Sequence, residues 1–116
     1  HGGNFLTDSL PAGYDIVSLI RVLHDHDDAP AMALLRRIYE ALPDGGTIFI
    51  AEPMAETAGA EPAGDGYFGF YLLAMGSGRP RSISEITSML ARVGFTHIRP
   101  LSTAIPLTVC AITAVR

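Results

Sequence analysis

The sequence holds a single cysteine, Cys110, in 116 residues. An internal disulfide and a cysteine-based zinc site are thereby excluded, and one unpaired thiol fits a reducing compartment, with the cytosol as the default expectation. Positive charge is scarce as well: eight Lys plus Arg stand against twelve acids, for a formal charge of −4. Such a balance carries no basic footprint for nucleic acid. No apolar run approaches the ~20 residues of a membrane-spanning helix, and no basic start leads into an apolar signal core. Internal repeats are lacking, and the one compositionally biased tract is an Ala/Gly/Pro/Glu-rich loop. The opening, His1-Gly2-Gly3-Asn4-Phe5, has no initiating methionine and reads as the interior of a longer protein. What is plentiful is apolar side chain, 48% of residues, enough for a modest core in about one domain.

Along the chain, residues 1 to 13 read as loop, punctuated by Gly2, Gly3, Pro11 and Gly13. Tyr14 to Leu23 reads as a strand apolar on both faces, as in a parallel sheet covered by helices on each side. Asp27 or Asp28 then caps a helix with Pro30 in its first turn. Met32, Leu35, Ile38, Tyr39 and Leu42 recur at helical spacing, with Arg36 and Arg37 on the outer side, until Pro43-Asp44-Gly45-Gly46 ends it. Thr47 to Ala51 is a short β-branched strand followed directly by Glu52.

Strand, helix and strand in so short a span form a right-handed crossover unit, whose two strands end on the same side. His24 and Glu52 are therefore expected together at the carboxyl edge of the sheet, where open α/β folds place their ligands. Beyond them, residues 53 to 66 read as surface loop. Tyr67 to Met75 is an aromatic helix stopped at Gly76-Ser77-Gly78, and Ser82 or Ser84 caps a helix that ends at Gly94. His97 to Leu101 and Leu107 to Val115 close the chain as an antiparallel pair, because the link between them is too short for a crossover.

Three stretches, YDIVSLIRVLHDHDD, LLRRIYEALPDGGTIFIAEP and SEITSMLARVGF, together resemble the C-terminal part of S-adenosylmethionine-dependent O-methyltransferases of the caffeate and polyketide type. The similarity covers nearly the whole chain, and GFYLLAMGSGRPRS is most similar to the carotenoid branch, the hydroxyneurosporene (demethylspheroidene) O-methyltransferases. The resemblance implies an α/β fold: the C-terminal half of a Rossmann-like sheet, with two parallel strands and a crossover helix, then helices and a terminal antiparallel pair. Residues 1–116 would be the C-terminal portion of the catalytic domain, without the N-terminal dimerisation domain and without the glycine-rich cofactor loop. It further implies S-adenosylmethionine as cofactor, a small hydrophobic substrate, membrane contact made only through that substrate, a homodimeric parent, and a fragment that is inactive and self-associates.

By the same resemblance His24 falls on the catalytic histidine and Glu52 on the acid that accepts from its imidazole. Gly3, Asn4 and Phe5 match the segment flanking the cofactor adenine, with Asn4 and Phe5 where the family has an acid and a methionine. Arg21 lies near a cofactor-contacting lysine, one residue closer to the histidine than the family spacing. Phe68, Tyr71, Leu72 and Met75 would line an apolar tunnel for a long polyene. A second orienting acid of the family falls at Pro80, so His24 would depend on Glu52 alone.

Each of these residues also has a plainer role. His24 can simply end a strand in solvent, His26 and Asp27 can be solvated or capping groups, and Glu52 can be a surface acid. The aromatic face can be core, and Cys110 an inert core residue. The run His24-Asp25-His26-Asp27-Asp28 contains metal-ligating residue types, but its side chains diverge around a strand end, and no metal is expected. Two alternatives to carotenoid methylation stay open: an aromatic polyketide or phenolic acceptor, and a non-catalytic half-sheet that serves folding or association.

Overall fold

A computed structural model of the chain describes residues 2–59, 66–106 and 108–116. The elements run β1 (Ile16–Ile20), a 3-10 turn (Leu23–Asp25), α1 (Asp28–Ala41), β2 (Thr47–Glu52), α2 (Phe68–Met75), α3 (Ile83–Val93), β3 (Thr96–Leu101) and β4 (Cys110–Val115). The expected α/β class and every expected element are present, with the first strand shorter than read and Glu52 inside the second. Part of the expected 53 to 66 loop (residues 60–65) and Leu107 lie outside the described residues.

The four strands form one sheet in the order β1-β2-β4-β3. β1 and β2 are parallel, with Leu19 opposite Ile50. β4 runs antiparallel to both β2 and β3, which makes the terminal pair antiparallel as read and inserts its last strand beside β2. Alternate residues of the sheet, Leu19, Ile48, Ile50, Ile112 and Ala114, join Leu34, Leu35, Ile38, Ile86, Met89 and Leu90 of α1 and α3 in one buried cluster.

The strand period of two puts the other residues on the opposite face, where Phe49 and Thr113 are only half buried and Ile16 and Ile20 are 65% and 53% exposed. The expectation that β1 is covered on both faces is corrected. Its apolar run needs two partners, and among the described residues the face that carries Ile16 and Ile20 is left largely exposed.

α1 begins at Asp28 with Asp27 at its N-cap position, but Asp27 does not cap it: its Oδ1 accepts from the Gly78 N–H at 2.9 Å instead. α3 carries the full capping box, in which Ser82 Oγ accepts from the Glu85 N–H and Glu85 accepts from the Ser82 N–H. Arg37, expected on the outer side of α1, is turned inward onto the first loop. It donates to the Phe5 and Asp8 carbonyls at 2.7 and 2.6 Å and so fastens residues 4 to 8 to the helix.

Candidate active site

β1 stops at Ile20 because Arg21 leaves the extended region: it has φ 55°, a left-handed conformation that costs a residue with a Cβ of order 1 kcal/mol or more. The Arg21 N–H still donates to the Ala51 carbonyl at 2.9 Å, so the departure starts from a strand already paired to β2. The chain then coils into the 3-10 turn Leu23–Asp25. The first N–H groups of such a turn have no partner within it. Glu52, the last residue of the neighbouring parallel strand, supplies one: its Oε2 accepts from the Leu23 and His24 N–H groups at 3.1 and 3.2 Å. His24 and Glu52 are thus brought together at the carboxyl edge of the parallel pair, and both are buried, with 4% and 0% exposure.

The contact differs from the one expected. Glu52 binds the main chain of the histidine's turn and not its imidazole, while Glu52 Oε1 and His24 Nδ1 are both buried without a hydrogen-bond partner. The physical reason is local: the turn leaves two N–H groups without a partner of their own, and the carboxylate at the strand end meets them. Burial raises the Glu52 pKa to about 7 against the opposing effect of the His24 N–H bond and the Arg81 charge. Burial also lowers the His24 pKa, with Arg21, Arg81 and His26 adding to the shift and Asp25 opposing it. The ring is therefore neutral near pH 7, and its Nε2 lies 3.2 Å from Asp25 Oδ1.

Beside the ring is an open cavity of about 320 Å³ lined by Arg21, His24, Asp25, Tyr67, Phe68 and Tyr71. Phe68 faces the imidazole at 6.0 Å between centroids, and the Arg21 guanidinium lies 5.4 Å from the centre of the same ring, a cation–π distance. Of the four residues expected to contact substrate, Phe68 and Tyr71 line this cavity. Leu72 does not: it is the one buried residue of α2, at 1% exposure, and anchors the helix. Met75 does not either, being 65% exposed beyond the lining. A helix of eight residues turns its side chains through a full circle twice, so four apolar positions cannot all face one hollow.

A second hollow, of about 550 Å³, is lined by residues 2 to 5 and 8 to 12. It contains Gly3, Asn4 and Phe5 but not Arg21, so the residues expected to hold cofactor are divided between the two cavities. The polypeptide between Arg21 and Asp28 separates them, with Phe5 packed edge-on against His26 at 5.2 Å on the one side and Phe68 against His24 on the other. Asn4 is used locally: its Oδ1 accepts from the Leu6 N–H and its own N–H donates to Asp8.

Three residues that pattern reading passed over matter here. Asp25 supplies the acid beside Nε2 that Pro80 lacks. Gly78, with φ +79°, packs so closely on the turn that a Cβ would lie 2.2 Å from the His24 carbonyl oxygen. Arg81 is fully buried and bonds the turn's carbonyls. None of the three has a spacing signal, since each meets the turn across more than fifty residues or is its next neighbour.

Among the described residues no group of three or more His, Cys, Asp or Glu side chains converges on a point where a metal could bind. No described helix is long and apolar enough to cross a membrane.

The strand order, the buried His24 and Glu52 at the carboxyl edge and the aromatic cavity beside them define an open α/β fold with a candidate site where such folds place their ligands. The fold matches human N-acetylserotonin methyltransferase, solved in complex with SAM, with a TM-score of 0.87 at 28% identity over all of this chain and 33% of that one. In sequence, the chain is 45% identical over its whole length to demethylspheroidene O-methyltransferase of Cereibacter sphaeroides, covering 31% of that protein. It is 40% identical over 92 residues to 2,7-dihydroxy-5-methyl-1-naphthoate 7-O-methyltransferase of Streptomyces carzinostaticus, or 79% of this chain and 26% of that protein. The model of the O-methyltransferase domain matches residues 1–96, and the chain belongs to that family. It spans under a third of the length of these curated relatives.

Proposed function

We propose that the protein carrying this chain transfers a methyl group from S-adenosylmethionine to a hydroxyl of a hydroxyneurosporene-like carotenoid, with His24 as general base. The observation that carries the reading is the neutral, buried imidazole set in an aromatic-lined cavity at the carboxyl edge of the sheet, in a chain 45% identical to demethylspheroidene O-methyltransferase. Residues 1–116 are then the C-terminal portion of the catalytic domain.

Gly3, Asn4 and Phe5 fit the adenosine end of the cofactor: one aromatic face, one amide and approachable backbone line the larger hollow. When bound, S-adenosylmethionine supplies an electrophilic methyl on a sulfonium. The chain's own part is to place the acceptor oxygen behind that methyl and to take its proton as the new bond forms. A tertiary alcohol is too weak an acid to ionise first, so the proton leaves during the attack. The neutral His24 ring receives it, and the Asp25 carboxylate at Nε2 stabilises the imidazolium. Glu52 acts through the main chain, by holding the turn on which the ring stands. Tyr67, Phe68 and Tyr71 offer a long apolar acceptor its wall.

The 40% identity to a naphthoate O-methyltransferase favours a second reading, in which the aromatic wall takes a phenolic ring. The two are separated by assaying the full-length protein with hydroxyneurosporene and with a dihydroxynaphthoate. We expect turnover of the carotenoid, and His24→Ala to lower kcat by roughly 10²–10⁴. A variant that folds and methylates at the wild-type rate sinks the base assignment. A non-catalytic association role for the 116-residue chain alone is tested by calorimetry with S-adenosylmethionine, where weak or no binding is expected and micromolar binding contradicts a half-site.

A further inference from the structure

Arg81 has no exposed surface, yet its guanidinium lines neither cavity. Its donors are spent on the turn that carries His24. Nη1 donates to the Leu23 carbonyl at 2.8 Å and Nη2 to the His26 carbonyl at 2.7 Å, one residue before His24 and two after it. Nε and Nη2 also donate to Asp28 Oδ1, at 3.0 and 2.7 Å. Asp28 in turn has its pKa lowered, first of all by that bond. Removing a cation from water costs several kcal/mol unless each donor finds an acceptor, and only a planar fork reaches two carbonyls and a carboxylate at once. The root of the side chain is fixed independently of the turn. The Arg81 carbonyl accepts from the Ala55 N–H at 3.0 Å, and the next residue, Ser82, caps α3.

We propose that Arg81 is a positioning residue for His24, clamping the carbonyl side of the turn as Glu52 clamps its N–H side. Between them they account for both polarities of the turn's backbone, so the ring has one orientation toward the aromatic cavity. The clamp rests on the reading of His24 as the base.

The test uses the full-length protein with S-adenosylmethionine and hydroxyneurosporene. Arg81→Lys keeps the charge and loses the fork; it should lower kcat roughly 10- to 100-fold while leaving the KM for S-adenosylmethionine within about two-fold. It should also shift the acidic limb of the kcat pH profile together with the His24 ring titration followed by NMR. Asp28→Ala removes the exposed carboxylate that steadies the guanidinium, without burying anything new, and should lower kcat about three-fold in the same manner. Loss of melting temperature alone, with kcat per folded molecule unchanged in both variants, overturns the proposal. Should Arg81→Lys fail to fold, Asp28→Ala decides by the same two outcomes. Failure of the underlying reading is seen separately: His24→Ala would then keep the wild-type rate. The His24 ring resonances, which Arg81→Lys must move whatever the ring does, still test the clamp.

Discussion

The cavity beside His24 has two walls that are held in opposite ways. On one side the turn from Leu23 to Asp28 is tied by Glu52, Arg81, Ser77 and Gly78, through bonds to its own N–H and carbonyl groups or, from Gly78, to the Asp27 carboxylate. On the other, α2 is fixed by one buried side chain, Leu72, while Tyr67, Phe70, Leu73 and Met75 of that segment are between 65% and 76% exposed. Directional polar bonds set an orientation, and a single apolar anchor sets only a distance. On the proposed reading, the group that meets a proton is on the directed wall, and the groups that exclude water and touch an apolar acceptor are on the loose one. A site can therefore be stiff where chemistry occurs and adaptable where substrate shape varies.

That contrast can be broken most sharply at two glycines. Gly78→Ala drives a methyl group into the His24 carbonyl at 2.2 Å from a backbone with φ +79°, so something in the turn must move. A loss of about 3–4 kcal/mol in chemical denaturation is expected, with methylation falling more than stability does. Gly76, at the end of α2, has φ +81° but meets nothing within 4 Å, and Gly76→Ala should cost only about 1 kcal/mol. Equal costs at the two sites would remove the distinction between the walls.

A smaller and pH-dependent effect is expected from Glu52→Gln. The folded pKa of Glu52 is raised to about 7, so between its unfolded value and 7 the native state binds more protons than the unfolded one. Its contribution is then fully present below about pH 4.5 and is lost as pH rises to 7. Over that window the wild type should lose about 2–3 kcal/mol from this group, and the amide, which keeps an oxygen for the two N–H groups, should flatten the loss. His24 has the opposite sign: its lowered pKa makes stability fall as pH drops below 6.5. Melting curves of both proteins from pH 4 to 8 check the slope, and identical slopes would show that Glu52 is not protonated in the fold.

The loose wall offers the smallest effect. Leu72→Ala removes the one buried side chain of α2 and should cost about 2 kcal/mol, seen as faster amide exchange confined to 68–75, while exchange in β2 and α3 is unchanged. Phe70→Ser, at a position 76% exposed, should stay within about 0.5 kcal/mol. Protection lost equally across the sheet would mean that the two walls unfold as one.

Much of this was legible along the chain because the signals are local. β-branched runs, the 3.6-residue recurrence in α1, a serine cap for α3 and the Gly94 stop each depend on neighbours within a turn. The meeting of His24 with Glu52 was legible too, since a crossover unit must bring its two strand ends to the same edge. The side-chain assignments fared less well. Leu72 and Met75 were expected by resemblance to share a wall with Phe68 and Tyr71, and the pattern of so short a helix does not say which of its faces meets the cavity beside His24. Asp27 was read as a cap although it is needed by a loop fifty residues away. Arg37 was read as exposed because the carbonyls it binds belong to a loop that is adjacent only in space.

By itself, then, the sequence determined the elements, the parallel pair and the carboxyl edge at which a histidine and an acid stand, because periodicity and short connections leave few other arrangements. Tertiary structure alone decided how that histidine is held. Arg81, Gly78 and the N–H bonds of Glu52 reach the turn across long sequence separations, and a hydrogen bond between distant residues leaves no periodic trace in either partner. The resulting geometry is a property of the packed chain: the turn's N–H groups meet Glu52 because β2 ends beside them, and its carbonyls meet Arg81 because the segment before α3 is paired to the one after β2.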